Sequence, residues 1–289
     1  MLGSNKLAAS LKYPLLLFGL TAILYGNTLF NNYAIDDPIV TNNPIIQKGI
    51  RAIPEIFTTR YRIEGDYNYG YRPIVKSSFA IEYELFGQNP FVSHLLNLLF
   101  YGFTSVFLFF LLKKLLRRYD ELLPFIIAAL FIAHPVHTEA VASLKNREEI
   151  FSFLGSIASL YFFMKFTETP FYKYILYGLG CYLFAFFSKQ NAITFLAIIP
   201  LTVYYFSDTP LTFLKKLAAF AANRTSEKAG RVFLTAKLLS VFVIKGAVKY
   251  LFLWFALLCY FMAILKGGSG FYEWTVILLI IYFNTNSYD

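Results

Sequence analysis

Charged residues are scarce in this chain: they make up 15% of its 289 residues, whereas hydrophobic residues make up 57%. A soluble domain of ordinary composition carries about 25% charged residues. The composition therefore argues against a soluble protein. Cysteine is also scarce, and because Cys181 and Cys259 both lie in apolar runs, they predict neither a disulfide framework nor a metal cluster.

Several binding and catalytic signatures are missing as well. No glycine-rich phosphate loop, nucleophile elbow or paired-cysteine motif occurs, which argues against a nucleotide-driven enzyme. No internal repeat of roughly 20–50 residues is visible, which excludes a solenoid. The net charge of +9 would suggest nucleic acid in a soluble protein, but basic residues also orient membrane helices. We therefore expect a lipid bilayer and no nucleic acid as partner.

Long apolar runs predict an all-α membrane protein, a multi-pass helical bundle of about eight spans, because roughly 20 apolar residues cross the hydrocarbon core. No small-residue cleavage site follows the first run, which favours an uncleaved first span. The predicted spans are 12–30, 91–112, 122–140, 150–167, 172–188, 191–206, 238–264 and 272–284.

The distribution of Lys and Arg predicts the orientation and the domain organisation. Basic residues are most frequent in the short loops on the side of the N-terminus, which places that side in the cytoplasm. Residues 1–206 form the expected membrane core, with a long non-cytoplasmic loop over 31–90. Residues 207–237 are the expected cytoplasmic connector, and 238–289 hold further spans.

The loop over 31–90 has the pattern of short helices lying in the membrane interface. Asn43-Pro44 is a helix start, and Ile46, Ile50, Ile53 and Phe57 form an apolar stripe suited to the membrane surface. Pro54 opens a second short helix. Arg72-Pro73 opens another, which runs to Phe86 and stops at Gly87.

Two acidic or histidine-containing clusters fall on the predicted non-cytoplasmic face. Asp36 and Asp37 follow the first span, where a carboxylate could act as a general base or bind a divalent metal ion. Asp-Asp-Pro is also an ordinary turn opener. His134, His137 and Glu139 follow the third span and could bind a metal or orient a phosphate, although such residues are also ordinary at a helix end.

A third cluster on that face is basic. It comprises Arg72, Lys145, Arg147 and Lys189, the last in a tight turn between two apolar helices. Lys189 could extend to the membrane interface or bind a lipid phosphate, and Arg suits bidentate phosphate contact.

The order of these motifs resembles the multi-pass O-mannosyltransferases that carry tetratricopeptide repeats, and their bacterial relatives, within the GT-C glycosyltransferases. The resemblance covers residues 25–205. It rests on Asp36-Asp37-Pro38 with Asn42-Asn43-Pro44, Tyr71-Arg72-Pro73 with Phe79-Ala80-Ile81-Glu82-Tyr83, Gly87-Gln88-Asn89-Pro90 with His94 and Asn97, the run from His134 to Ala142, and Ser188-Lys189-Gln190. Relatives often carry Glu where this chain has Gln190.

The resemblance implies transfer of a mannose-like sugar from a polyprenyl-phosphate donor to a hydroxyl of a protein or glycan acceptor, with inversion. It implies that residues 1–206 form a GT-C-like catalytic core, with Asp36 and Asp37 as catalytic base candidates. His134, His137 and Glu139 would support the site, and Arg72, Lys189 and Arg147 would bind the donor phosphate. Asp36, Asp37, His137 and Glu139 are the candidates for a divalent metal.

Two other functions remain open on the sequence. A non-catalytic membrane scaffold, as a degenerate GT-C relative in a larger assembly, would tolerate loss of the Asp pair. A transporter is disfavoured because transporters place polar residues at the midplane, where only Lys245 and Lys249 are expected. We expect a bacterial inner membrane with the active face to the periplasm, or the ER lumen in a eukaryote.

Overall fold

A computed structural model of the chain describes residues 2–34, 36–59, 63–64, 67–68 and 70–206. The α-helices in this part are α1 Leu2–Tyr25, α2 Pro38–Thr41, α3 Ile53–Thr58, α4 Pro73–Phe86, α5 Pro90–Leu115, α6 Leu122–Ala133, α7 His137–Ala142, α8 Arg147–Glu168, α9 Tyr172–Ser188 and α10 Phe195–Phe206. Short 3-10 helices occupy Gly26–Phe30, Ile46–Ala52, Leu144–Asn146 and Gln190–Thr194. The two-residue strands β1 (Ile63–Glu64) and β2 (Tyr67–Asn68) pair antiparallel, with Ile63 opposite Asn68.

Two compact units divide the chain. Residues 1–166 and 171–197 form the first, and residues 167–170 and 198–289 form the second. The candidate site lies in the first unit.

The apolar helices support an integral membrane protein. Within the described residues, Leu11–Phe30, Pro90–Leu115 and Leu144–Glu168 are long and apolar enough to cross a membrane, and Leu122–Ala133 and Gln190–Phe206 are shorter apolar segments. The expected count of about eight spans is not confirmed. The predicted spans 238–264 and 272–284, and the connector 207–237, lie outside the described residues.

The predicted span over 122–140 is wrong in its second half, because α6 ends at Ala133. His134 has extended backbone angles, with φ −69° and ψ 125°. Proline at position 135 disfavours the helical conformation of the residue before it, which explains the break. The chain then turns and begins the separate short helix α7 at His137.

The region between α1 and α5, which the sequence predicts to be external, has a hydrophobic core formed by α2 to α4, the 3-10 helix Ile46–Ala52 and the start of the α8 segment. Its buried residues are Val40, Ile46, Ala52, Ile56, Val75, Phe79, Ala80, Leu144 and Phe151. The boundaries predicted for α4 are confirmed: it begins at Pro73 and ends at Phe86, before Gly87 with φ 63°. We call α2 to α4 and the 3-10 helix Ile46–Ala52 the external layer.

The apolar stripe predicted for the membrane surface does not form as one face. Gly49 has φ 72° and interrupts the helix, so the periodicity of an α-helix is lost. Ile46 is consequently buried in the core of the external layer, whereas Ile50 and Phe57 are exposed.

Helices α8 and α9 approach closely through small residues. A side chain at Gly155 would lie 2.8 Å from the carbonyl oxygen of Cys181 and 2.9 Å from the Cβ atom of Ala185. The Ser159 hydroxyl donates a hydrogen bond to the carbonyl oxygen of Gly178 at 2.8 Å. Small residues permit such backbone contact between membrane helices. This packing holds the end of α9 beside the start of α8.

Candidate functional site

The two adjacent aspartates after the first span have different environments. Asp37 is fully buried, and its Oδ2 accepts a hydrogen bond from the backbone N–H of Ala34 at 2.8 Å. Its Oδ1 accepts hydrogen bonds from the backbone N–H groups of Leu144, at 2.9 Å, and Lys145, at 3.2 Å. Asp37 thus ties the segment after the first span to the segment before α8.

Asp36 faces solvent. Its side chain is 53% exposed, and its Oδ2 lies 3.4 Å from Nζ of Lys145. Because Lys145 also donates its backbone N–H to Asp37, the two aspartates and Lys145 form one contiguous group. The geometry leaves Asp36 accessible to an incoming hydroxyl, whereas Asp37 is fully engaged in tethering the backbone.

Arg72 and Lys189 meet at a carboxylate that the sequence did not single out. Arg72 forms an ion pair with Glu148, and Nζ of Lys189 lies 3.3 Å from the same carboxylate. Lys189 also pairs with Glu149. Lys145, which contacts Asp36, precedes Glu148 by three residues, so one short segment carries contacts to both groups. We refer to Arg72, Glu148, Glu149 and Lys189 as the charge cluster.

Arg147, the residue before the charge cluster on α8, points into the protein and is fully buried. Its Nε donates to Oδ1 of Asn97 at 2.6 Å, and an Nη atom lies 2.7 Å from a carboxylate oxygen of Glu82. Its guanidinium carbon lies 3.8 Å from the centre of the Phe79 ring. Arg147 therefore connects α4, α5 and α8, and its burial leaves no exposed surface for a ligand phosphate.

The two histidines, His134 and His137, also differ in their exposure to solvent. His134 is exposed, whereas His137 is 4% exposed and packs on Phe131, with 4.2 Å between ring centres. Burial and then the neighbouring His134 lower the pKa of His137 to about 4. Glu139 is exposed, and one of its carboxylate oxygens accepts a hydrogen bond from the Asn146 side chain at 3.4 Å. His137 is therefore a neutral aromatic packing residue at physiological pH.

The described part of the chain contains no group of three or more His, Cys, Asp or Glu side chains that could hold a metal ion. Asp36, Asp37, His137 and Glu139, the metal ligands considered from the sequence, thus do not form such a site. The physical reason is that Asp37 is engaged with backbone N–H groups and His137 packs on aromatic rings.

Glu148 and Glu149 are the principal site residues that the sequence analysis missed. Two carboxylates at the first turn of an apolar helix are unusual, since ionisable residues are costly near the membrane core. Lys189 is isolated between two apolar helices and needs an anionic partner. Glu148 and Glu149, at the start of another apolar helix, could supply it. That signal could have led to them.

Comparison with known proteins supports the resemblance seen in the motifs. The chain is 31% identical over 144 residues to protein O-mannosyl-transferase TMTC1 from Homo sapiens, a match that covers 48% of this chain and 16% of that protein. It is 31% identical over 186 residues to protein O-mannosyl-transferase TMTC2 from Homo sapiens, covering 61% and 22%. It is 29% identical over 157 residues to protein O-mannosyl-transferase F38B6.6 from Caenorhabditis elegans, covering 52% and 23%.

The matched region is less than a quarter of the length of each of these relatives. No family model matches the chain, and no solved structure matches it. The likeness to proteins named O-mannosyl-transferases is nevertheless confirmed, and it accords with an apolar helical chain that bears a polar site at the ends of its spans.

Proposed function

We propose that this chain is a membrane glycosyltransferase that moves a mannose-like sugar from a polyprenyl-phosphate donor to a hydroxyl of a protein or glycan. The observation that carries the proposal is the contact of an exposed carboxylate, Asp36, with Lys145, which lies three residues before Glu148 of the charge cluster. Lys145 contacts Asp36, and the side chains of Arg72 and Lys189 are 18% and 17% exposed. The relatives named O-mannosyl-transferases support the same reaction class.

In the proposed reaction, the oxygen of the acceptor hydroxyl attacks the anomeric carbon of the sugar, and Asp36 accepts its proton. The bond between that carbon and the donor phosphate oxygen breaks, and polyprenyl phosphate leaves with the electron pair. Arg72 and Lys189 stabilise the negative charge that develops on the leaving phosphate. A carboxylate base positioned in this way contributes roughly 10²–10⁴-fold to such a reaction.

The remaining predicted residues have supporting roles in the proposal. Asp37 and Arg147 position the segments that carry Asp36 and Glu148, since both are fully buried and hydrogen-bonded to other elements. His134 and Glu139 are exposed on the short segment after α6, where acceptor contact is possible. His137 packs that segment against α5 and α6.

An apolar cleft supports a polyprenyl donor. The cleft, about 580 Å³ in volume, lies between α5, α8 and α9 and is lined by residues such as Phe107, Leu154 and Phe184. Leu154 follows Glu148 by six residues, which is about 9 Å along a helix. Phe184 precedes Lys189 by five residues. A lipid whose phosphate contacts Lys189 would therefore have apolar surface for its chain within two helical turns.

The proposal places the site on the non-cytoplasmic face, either the periplasmic face of a bacterial inner membrane or the lumenal face of the ER membrane. Its test is the transfer of radiolabelled mannose from a polyprenyl-phosphate donor by the purified full chain and by Asp36→Asn. The variant should fold normally and lose at least 100-fold in rate.

The matched control is Glu121→Gln, which removes a carboxylate that pairs with Lys113 at the other end of α5. It should transfer at the wild-type rate. Unchanged transfer by Asp36→Asn would remove Asp36 as the base. Absence of transfer by the wild-type chain, with membrane association intact, would favour the scaffold function instead.

A further inference from the structure

The charge cluster contains equal numbers of cations and carboxylates. Arg72 and Lys189 supply two positive charges, and Glu148 and Glu149 supply two negative charges when ionised. Glu148 compensates the most positive charge, because it contacts both Arg72 and Lys189, whereas Glu149 contacts Lys189. An arriving anion would therefore meet two cations whose charge is already compensated.

Exposure differs between Glu148 and the two cations of the cluster. The Glu148 side chain is 3% exposed, whereas those of Arg72 and Lys189 are 18% and 17% exposed. Glu148 thus contacts the cations from the protein interior, and each cation keeps some exposed surface. A phosphate could contact the cations from outside while Glu148 stays in place.

The proposed reaction changes the charge of the phosphate. In the donor, the phosphate is a diester and carries one negative charge. In the released polyprenyl phosphate, the phosphate is a monoester whose second pKa is about 6. Its charge at neutral pH is therefore roughly −1.5 to −2. Two uncompensated cations would bind the monoester more tightly than the diester and would retard its release.

We propose that Glu148 sets the charge selectivity of this site, so that the protein binds a lipid phosphodiester in preference to the lipid phosphomonoester that transfer produces. The inference rests on the proposed function, because that function assigns Arg72 and Lys189 to the donor phosphate. Glu148 acts through the two cations and is a positioning residue. Its carboxylate repels the second negative charge of the monoester and thereby promotes product release.

The experiment measures binding without transfer. The full chain in lipid nanodiscs is titrated with farnesyl phosphate, a monoester, and with farnesyl methyl phosphate, the corresponding diester. For wild type and Glu148→Gln, the ratio of the two dissociation constants is determined at pH 7.5. The substitution should shift this ratio toward the monoester by roughly tenfold to a hundredfold, as expected for loss of one charge about 6–12 Å away at an effective dielectric constant of about 20.

A pH profile separates charge selectivity from a merely structural effect. At pH 5 the monoester carries close to one negative charge, so the shift in the ratio should largely disappear. A structural defect would weaken both lipids at both pH values. Glu55→Gln is the control, because it removes an exposed carboxylate that pairs with Lys48 in the external layer. Its ratio should equal that of the wild type.

A ratio that Glu148→Gln leaves unchanged at pH 7.5 overturns the inference, as does failure of the wild type to bind either lipid. If Glu148→Gln does not fold, Glu149→Gln takes its place, because Glu149 is 17% exposed and contacts only one of the two cations in the cluster. It should shift the ratio in the same direction by a smaller factor, and an unchanged ratio overturns the inference. If the wild type transfers mannose but Glu148→Gln leaves the ratio of dissociation constants unchanged, only the charge selectivity is refuted. If Glu148→Gln shifts the ratio but the wild type transfers no mannose, only the proposed function is refuted.

Discussion

Replacing each of the two adjacent aspartates with Asn should separate folding from catalysis. Asp37→Asn keeps the shape of the side chain but removes its charge and one of its two acceptor oxygens. Asp36→Asn makes the same chemical change one residue earlier, at a site that is 53% exposed. Asp36→Asn therefore serves as the control for Asp37→Asn, since the two variants match in side-chain size, polarity and position in the chain.

The expected cost of Asp37→Asn follows from its three backbone hydrogen bonds. The Asn amide group can accept from Leu144 and Lys145 through one oxygen, but its NH₂ group would then face the N–H of Ala34, donor against donor. Hydrogen bonds to a charged group contribute about 1.5–3 kcal/mol each, so losing one and weakening two should cost about 2–4 kcal/mol. That corresponds to a fall in melting temperature on the order of 10 °C.

Asp36→Asn should change stability very little. The carboxylate of Asp36 is exposed and pairs with Lys145 at 3.4 Å, and surface ion pairs of this kind contribute about 0–1 kcal/mol. The assay is thermal unfolding of the full chain in detergent micelles at pH 7.5, followed by light scattering and intrinsic fluorescence. Equal destabilisation by the two variants, or an unaltered melting temperature for Asp37→Asn, would refute the division of roles between the aspartates.

Two further predictions concern the histidine segment and the helix packing. Between the folded pKa of about 4 and the ordinary value of 6.5, His137 takes up a proton when the protein unfolds. Its contribution to the free energy of unfolding is therefore complete above pH 6.5 and falls by about 3 kcal/mol toward pH 4. Thermal unfolding measured against pH should show this loss in the wild type and not in His137→Phe. Gly155→Val should cost about 1–3 kcal/mol by overpacking α8 against α9, and should loosen the contact of Lys189 with Glu149. Gly180→Val, which meets nothing within 4 Å, is its control; equal melting temperatures for these two glycine variants would contradict the close packing.

Local signals in the sequence were sufficient where one residue type dictates the backbone. Proline at the first helical position and Gly87 after the last one defined α4, and the structure confirms both ends. The apolar stripe over 46–57 does not form because Gly49 adopts a positive φ and breaks the helical periodicity that the stripe requires. The tertiary core then buried Ile46 and left Ile50 exposed, which a periodicity count cannot anticipate.

The division of roles between neighbouring residues was beyond sequence reasoning. Asp36 and Asp37 are chemically identical, but Asp37 alone of the two accepts backbone hydrogen bonds from a segment more than 100 positions later in the chain. Arg147 and Glu148 present the same problem. Both were visible as charges at the start of a span, but their directions are set by α4, α5 and α9, which lie elsewhere in the sequence.

The segment over 143–149 is where these long-range contacts converge, and the contacts support the proposed base, Asp36, while leaving it exposed. Backbone N–H groups of the segment bind Asp37, the Arg147 side chain binds Glu82 and Asn97 in the interior, and Glu148 binds Arg72 and Lys189. Each contact attaches a different part of the chain to one short stretch of backbone. Because a residue held within hydrogen-bonding geometry can be displaced only if its supports move, Asp36 gains a defined position from neighbours that are themselves buried. A site organised in this way should lose activity through substitutions in 143–149 that never contact the sugar.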